Sequence, residues 1–429
     1  MTRIALVLDR GEADDLAGFD EVFLWPATGL GTFRTKLSPS LNSLGAVTSI
    51  NADFVRLALA VYAADKSVRR DFHGSNWNRR TLELSVPVSD PAIWTAHRES
   101  VTTLLAYLTG DQWSLDFRSG EIPLAADMLI EDSSPRTVLL SGGADSATGA
   151  LLSAESLRPG ETHNLVSHAS SGVAKTAQQR VSAALNAQYP GTTATHHRIF
   201  LRRSKKRLDG SRFRNERSSR SRSLLFLALG LAVAGQSGGP LLIPENGFAS
   251  LNPPLGPERV GALSTRTTQP WFLWSVSTLI SDLSGHGLII NPYERLTKGE
   301  MFGRVKAILG ADGASHYLSE TNSCSHTDQH YLGVPSGTHC GVCFGCVVRR
   351  SSFMAAGIVD QTTYLDNMPT LDAGKYLEGK SVLTAVSDFI DSGIEEATIM
   401  SMPLPPNYSA RSALELARRG MRELADFVG

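Results

Sequence analysis

The stretch RTVLLSGGADSATGALLSAES, Arg136 to Ser156, decides how this chain is read. TVLLS is a short apolar run of the kind that forms a buried strand, and a helical pattern follows it. Between them lie Gly142 and Gly143, which tolerate positive φ and let backbone N–H groups approach a ligand closely. Ser141 and Ser146 add hydroxyl groups. The loop opens a helix, so the positive end of the helix dipole points at the same place. Together these make an anion site. Asp145 breaks that logic, because a carboxylate beside a phosphate repels it unless a cation intervenes. The loop therefore implies Mg²⁺, with oxygen ligands shared between Asp145 and the phosphate. Taken alone, the stretch also reads as a plain turn of small residues. It is neither a Walker A loop, since no Lys-Ser or Lys-Thr follows the second glycine, nor a GxGxxG loop.

Working outward, strand and helix patterns alternate. HNLVSHAS, AKTAQQRVSAALNAQ, THHRIFL, the apolar helix Ser223 to Gly235 and GPLLIPENG follow the loop in turn. Such alternation predicts a parallel sheet covered on both faces. Ligands of such sheets bind at the carboxyl ends of the strands, which places SGGADS, SHASS and PENGF on one rim. Residues 133–360 are read as this α/β domain. Residues 1–132 are read as an N-terminal α+β domain without a catalytic cluster. In it, RTLELSVPV and QWSLDFRS are strands flanking a helix that opens at Asp90-Pro91. Residues 361–429 are read as a helical C-terminal region, where SARSALELARRGMRELADFV is amphipathic.

The chain has 429 residues, 42% hydrophobic and 19% charged, with a net charge of −1. That balance predicts a soluble globule of two or three domains and offers no global attraction for nucleic acid. Ile4 to Leu8 reads as a first strand, and no apolar run approaches the ~20 residues of a membrane span. The expectation is cytoplasmic, with no membrane partner. The neutrality hides one run. Arg198 to Arg222 holds eleven Lys and Arg against Asp209 and Glu216. Charge of this density predicts a mobile middle. A lid over the phosphate site or a solvated loop is preferred to a nucleic-acid surface, because only Phe200 and Phe213 are available for base stacking.

All four cysteines fall in one cluster, Cys324-x15-Cys340-x2-Cys343-x2-Cys346. Four thiolates at such spacing suit tetrahedral Zn²⁺, with an iron–sulfur cluster as the minor alternative. A site filled by four protein ligands has no room for activated water, so the metal is expected to be structural. His326, His330 and His339 lie nearby but are not needed as ligands.

The strand–SGGxDS–helix unit followed by SC…CGVCFGCVVRR resembles the PP-loop ATP pyrophosphatases, and among them the 7-cyano-7-deazaguanine synthase (QueC) group. RSLLFLALGLA at Arg222 and LTKGEMFGRVKAILG with Lys298 are looser matches, and the resemblance covers roughly 133–360. The extra N-terminal and C-terminal regions, the long gap between the first two cysteines and LLIPENGFASLNPPLG depart from the compact synthases. These features resemble the QueC-like proteins of bacterial antiphage islands, the QatC type. The resemblance implies an adenine nucleotide alpha hydrolase-like fold and ATP-dependent adenylation of a 7-deazaguanine carboxylate. Amide formation with an amine would follow, the amine carried by a small partner protein encoded nearby or supplied as ammonia; the alternatives are a 7-cyano-7-deazaguanine synthase of queuosine biosynthesis and a PP-loop tRNA-modifying enzyme. It implies ATP binding by Ser141, Gly142, Gly143, Asp145 and Ser146, with His168 where the adenine edge meets the second strand. Lys298 would neutralise phosphate or carboxylate, and Glu245, Asn246, Phe248 and Arg222 would contact the deazaguanine acid. Glu245 and Asn246 also suit a turn or helix cap, and Lys298 a solvated helix start. Gln179 and Arg180 either echo a Gln-Arg pair of the synthases or form an exposed helix face.

Overall fold

The computed structural model describes residues 1–14, 16, 18–70, 79–120, 134–169, 172–216, 220–253, 266–325, 334–335, 337–365 and 382–429. The N-terminal half begins with β1 (Thr2–Val7), α1 (Arg10–Asp14), β2 (Glu21–Leu24), β3 (Phe33–Thr35) and α2 (Ser49–Ser67). It continues through β4 (Thr81–Val88), α3 (Pro91–Ala96), α4 (Arg98–Thr109) and β5 (Gln112–Ser119). Four of these strands form a sheet in the order β2-β1-β4-β5, and every pair in it is parallel. The expected α+β unit is thus built as α/β. Parallel pairing needs crossover connections, and the intervening helices supply them. β4 is buried along nearly its whole length, so the polar residues of RTLELSVPV do not mark a solvent face.

The second half runs β6 (Thr137–Leu139), α5 (Ala144–Glu155), β7 (His163–Ala169), α6 (Gly172–Gln188), β8 (Thr193–Arg203) and α7 (Arg222–Ser237). Then come β9 (Leu241–Leu242), α8 (Gly247–Leu251), α9 (Pro270–Asp282), β10 (Ile289–Ile290), α10 (Lys298–Ser319) and α11 (Phe344–Ala355). The sheet order is β10-β9-β6-β7-β8-β3, parallel except at its last edge. That edge is β3, which leaves the N-terminal half to pair antiparallel with β8, Phe33 opposite Arg203. One continuous apolar core, from Ile4 to Leu283, joins the two sheets. α12 (Leu383–Ser392), α13 (Glu396–Met400) and α14 (Ala410–Val428) form a third cluster around Phe248, Val347 and Leu416. Among the described residues, no helix is long and apolar enough to cross a membrane.

The basic run is built differently from the mobile loop expected of it. β8 extends through Arg203, and Lys206 bridges Arg212 in a short antiparallel turn. Phe213 is buried and stacks on Phe23 with ring centroids 5.1 Å apart, while Arg203 and Arg207 lie over its ring. Arg207 also pairs with Glu21 at 2.5 Å. The Arg207 charge is met by a carboxylate from the N-terminal half, which the local sequence does not reveal, and Phe213 is a core ring and not a stacking platform. Residues 217–219 of the run lie outside the described residues.

A buried charge network seals the junction of the halves. Arg80 contacts Asp65 at 2.7 Å and Asp111 at 2.5 Å, and Arg70 contacts the same pair at 2.9 and 3.0 Å. The other Asp65 oxygen accepts from Arg220 N (2.7 Å), Ser221 N (3.0 Å) and Ser221 Oγ (2.8 Å), holding the start of α7. Burial alone would raise the Asp65 carboxyl, but Arg80 and Arg70 outweigh it and bring it down to about 2. Removing one partner of a buried network leaves the others uncompensated. Asp65→Ala is therefore expected to destabilise the fold by roughly 3–5 kcal/mol, read from urea unfolding at pH 7. Because the folded-state pKa is depressed, the Asp65 contribution is complete above about pH 4 and disappears as the pH falls through 2. Equal stability of the variant and the parent at pH 7 would refute this account of the junction.

Candidate active site

The chain leaves β6 toward β7 and β8 on one side and later returns to β9 and β10 on the other. Loops on either side of such a switch point diverge and open a crevice at the carboxyl ends of the strands. Here the crevice lies between the 141–146 loop and the exit of β9 at Pro244. Two cavities of ≈ 410 and ≈ 250 Å³ meet there, sharing Ser141, Ser146, Glu245 and Phe344.

The loop has the shape its residues suggest. Gly142 takes φ 88°, a left-handed conformation that only glycine adopts without strain. Gly143 stands at the cap position of helix α5 and supplies no side-chain cap, so the helix N-terminus stays available to an anion. The Ser146 hydroxyl stands where backbone donors converge, accepting from Ser141 N at 3.1 Å and Gly142 N at 3.2 Å. It donates to Gly143 O at 2.9 Å. Behind the loop, Gln178 Nε2 donates to Ser141 O (3.3 Å) and to His168 O (3.1 Å), tying β6 to β7. Gln178 was not singled out by the sequence. It is the buried neighbour of Gln179, which is exposed together with Arg180; the inward spacing of Ala177, Gln178, Val181 and Leu185 was the available signal.

Asp145 is the centre of the smaller cavity. Its Oδ2 accepts from Lys298 Nζ at 3.2 Å and from Asn246 Nδ2 at 3.0 Å. Its Oδ1 is buried without a hydrogen-bond partner. Glu245 is the adjoining carboxyl. Burial and the Asp145 charge push Glu245 well above the usual carboxylate range. Burial would raise Asp145 too, but the Lys298 charge and the Asn246 hydrogen bond hold it below that range. Two carboxyls this close need a proton or a cation between them. An orphaned carboxylate oxygen next to a second buried carboxyl fits a divalent cation, which would offset the charge the two groups share.

The other expected residues are distributed as follows. Lys298 is buried and engaged, not a solvated helix start. Asn246 uses its whole amide, capping α8 through Ala249 N (2.8 Å) while it donates to Asp145. His168 and Arg222 both line the larger cavity, with Leu139, Phe226 and Thr267. His168 Nε2 bonds Leu201 O at 2.8 Å, and burial lowers its pKa to about 4, so the ring is neutral. Phe248 does not stack over the cavity. It is buried against α14 and belongs to the C-terminal apolar cluster. Its alternation with Asn246 was legible, but the helix that covers it was not.

The four cysteine sulfurs lie within 4.8 Å of one another. A tetrahedral ion at the usual Zn–S distance needs edges of about 3.8 Å, and Cys340 to Cys346 is 3.9 Å. Cys340 N donates to Cys324 Sγ (3.4 Å) and Cys343 N to Cys340 Sγ (3.2 Å), donors that suit thiolates. The set fits Zn²⁺. It reaches the crevice through Asn322, whose N bonds Gly142 O at 2.9 Å, and through Gly345, whose face lies against Ser323 O. His339 bonds Asn322 Oδ1 at 3.1 Å through Nε2 and stands outside the sulfur set; His326 and His330 lie outside the described residues.

No protein-family model matches the chain. Among curated proteins, it is 27% identical over 259 residues to the 7-cyano-7-deazaguanine synthase of Psychrobacter cryohalolentis, covering 55% of this chain and 91% of that one. It is 32% identical over 146 residues to that of Novosphingobium aromaticivorans, covering 34% of this chain and 54% of the relative. With the synthase of Cupriavidus necator it shares 30% identity over 253 residues, 53% of this chain and 96% of the relative. A match that takes in nearly the whole of that relative, on a chain with the loop, the crevice and the cysteine set in place, means that the chain belongs to the 7-cyano-7-deazaguanine synthase (QueC-like) family of PP-loop proteins.

Proposed function

We propose that the protein uses ATP to adenylate a 7-deazaguanine carboxylate and then forms an amide with an amine carried on a small partner protein, as in antiphage defence. The observation that carries the reading is the Asp145–Lys298–Glu245 cluster beside an uncapped helix start in a two-compartment crevice. The smaller compartment suits the β- and γ-phosphates. The larger, with apolar walls and Arg222, suits the adenosine and the acid.

A carboxylate does not condense with an amine at neutral pH because its leaving group is too poor. In the proposed reaction, a carboxylate oxygen attacks the α-phosphorus and the bond to the bridging oxygen breaks, releasing pyrophosphate. The amine then attacks the acyl carbon, AMP leaves, and the amine proton passes to solvent. The loop N–H groups and Lys298 stabilise charge as it develops on the departing phosphates. Asp145 and Glu245 would hold a divalent cation, which supplies further charge neutralisation. Zn²⁺ held by Cys324, Cys340, Cys343 and Cys346 would brace the loop from behind, without a part in the chemistry.

A second reading, ammonia as acceptor and the nitrile as product, is supported by the name shared by the relatives. Nearly half of this chain lies outside those matches, which supports a larger acceptor. Purified protein with ATP, Mg²⁺ and 7-carboxy-7-deazaguanine is expected to release AMP and pyrophosphate. A mass gain on the N-terminus of the co-purified partner supports the first reading. Amide or nitrile formed only with ammonium supports the second. ADP as the nucleotide product would defeat both.

A further inference from the structure

Lys298 and Asn246, the two donors on Asp145 Oδ2, come from separate segments, and a single turn of α14 grips both. On one side, the Glu423 carboxylate accepts from Thr297 Oγ1 and from Gly299 N at 3.1 Å, on either side of Lys298. Thr297 is the cap of α10, completing a reciprocal cap with Glu300. The approach is close, since a Cβ on Gly299 would lie 2.5 Å from Glu423 Oε1. Arg419, one turn earlier, donates to Glu300 Oε1 at 2.9 Å and to Arg295 O at 2.7 Å. On the other side, Gly420 receives Phe248; a Cβ there would lie 2.3 Å from the Phe248 ring. Phe248 follows Asn246 by two residues, across the start of α8.

We propose that Glu423 is a positioning residue for Lys298, and that the 419–423 turn of the C-terminal helix is part of the active-site scaffold. The carboxylate spans the two residues that flank Lys298, so the lysine backbone has no freedom to rotate away from Asp145. Gly420 and Phe248 set the second donor from the same helix turn. Catalytic groups must be held to fractions of an ångström, and a displacement near 1 Å costs up to about 100-fold in rate. The catalytic consequence rests on the proposed function; the brace itself does not.

Glu423→Gln keeps the side-chain shape and tests this in the full chain. Hydrogen exchange is expected to quicken at amides 298–302 and to stay unchanged in β7. With ATP, Mg²⁺ and 7-carboxy-7-deazaguanine, kcat for AMP release should fall about 10- to 100-fold, with KM for ATP within about 2-fold. Combined with Lys298→Arg, the loss should equal that of the more damaging single variant, because both act through one ammonium. Arg411→Ala, on the exposed start of the same helix, should behave as the parent. Unchanged exchange at 298–302 overturns the brace, and fully multiplicative losses overturn action through Lys298. If the parent makes no AMP, the proposed function fails and the exchange measurement still decides the brace.

Discussion

Asp145→Asn is expected to lower the rate of AMP formation by about 10³-fold. The substitution is nearly isosteric, so the loop and the α5 start should keep their form. What it removes is charge. Lys298 loses the anion 3.2 Å away, and the orphaned Oδ1 that fits a cation becomes part of an amide. Glu245 stays buried but loses the neighbouring charge that adds to its upward shift. The cavity therefore loses one of the two carboxyls that balance it for a cation with phosphates, and Glu245 is left, among the described residues, as the sole carboxyl interacting with the Lys298 ammonium. Separation of labelled ATP, ADP and AMP after single-turnover mixing measures the effect. ATP binding should weaken less than turnover, because the backbone donors of the loop remain. AMP release near the parental rate would remove Asp145 from the chemistry and with it the assignment of the crevice.

Cys343→Ser is expected to have the largest effect on stability. The parent should carry one zinc per chain by elemental analysis, and the variant much less. Cys343 caps α11, and the cluster holds Asn322 against Gly142 and Ser323 against Gly345. Structural zinc contributes binding free energy directly to folding. The apparent unfolding temperature should fall by roughly 10 °C or more, with a matching fall when the parent is treated with a strong chelator. Activity should fail in the same step, since the loop loses its rear support. A metal-free parent with unaltered unfolding and turnover would show that the four thiols pack without an ion.

The parts of this protein visible in its sequence are those whose chemistry is local. Gly142 and Gly143 between a strand and a helix already specify a backbone cradle, because the turn, the donors and the dipole all arise within six residues. The cysteine spacing likewise specifies a soft tetrahedral site, since CxxC turns bring sulfurs together with little help. The alternation from His163 to Gly247 specifies a parallel sheet, and the sheet places His168 and Glu245 on the rim with Ser141.

Where contacts run between distant segments, the sequence is silent. The burial of both faces of β4 follows from what packs on it, not from its own alternation. Phe213, read from a basic run, became a core ring because Phe23 and Glu21 arrive from the other half of the chain. Phe248 and Asn246 looked like a pair facing a ligand. The C-terminal helix took the phenylalanine into its own cluster and left the asparagine to Asp145. Local dihedral preferences and short-range hydrogen bonds act within a few residues and are written in sequence order. The side a buried ring or carboxylate faces is decided by which other surface reaches it, and only the tertiary structure contains that.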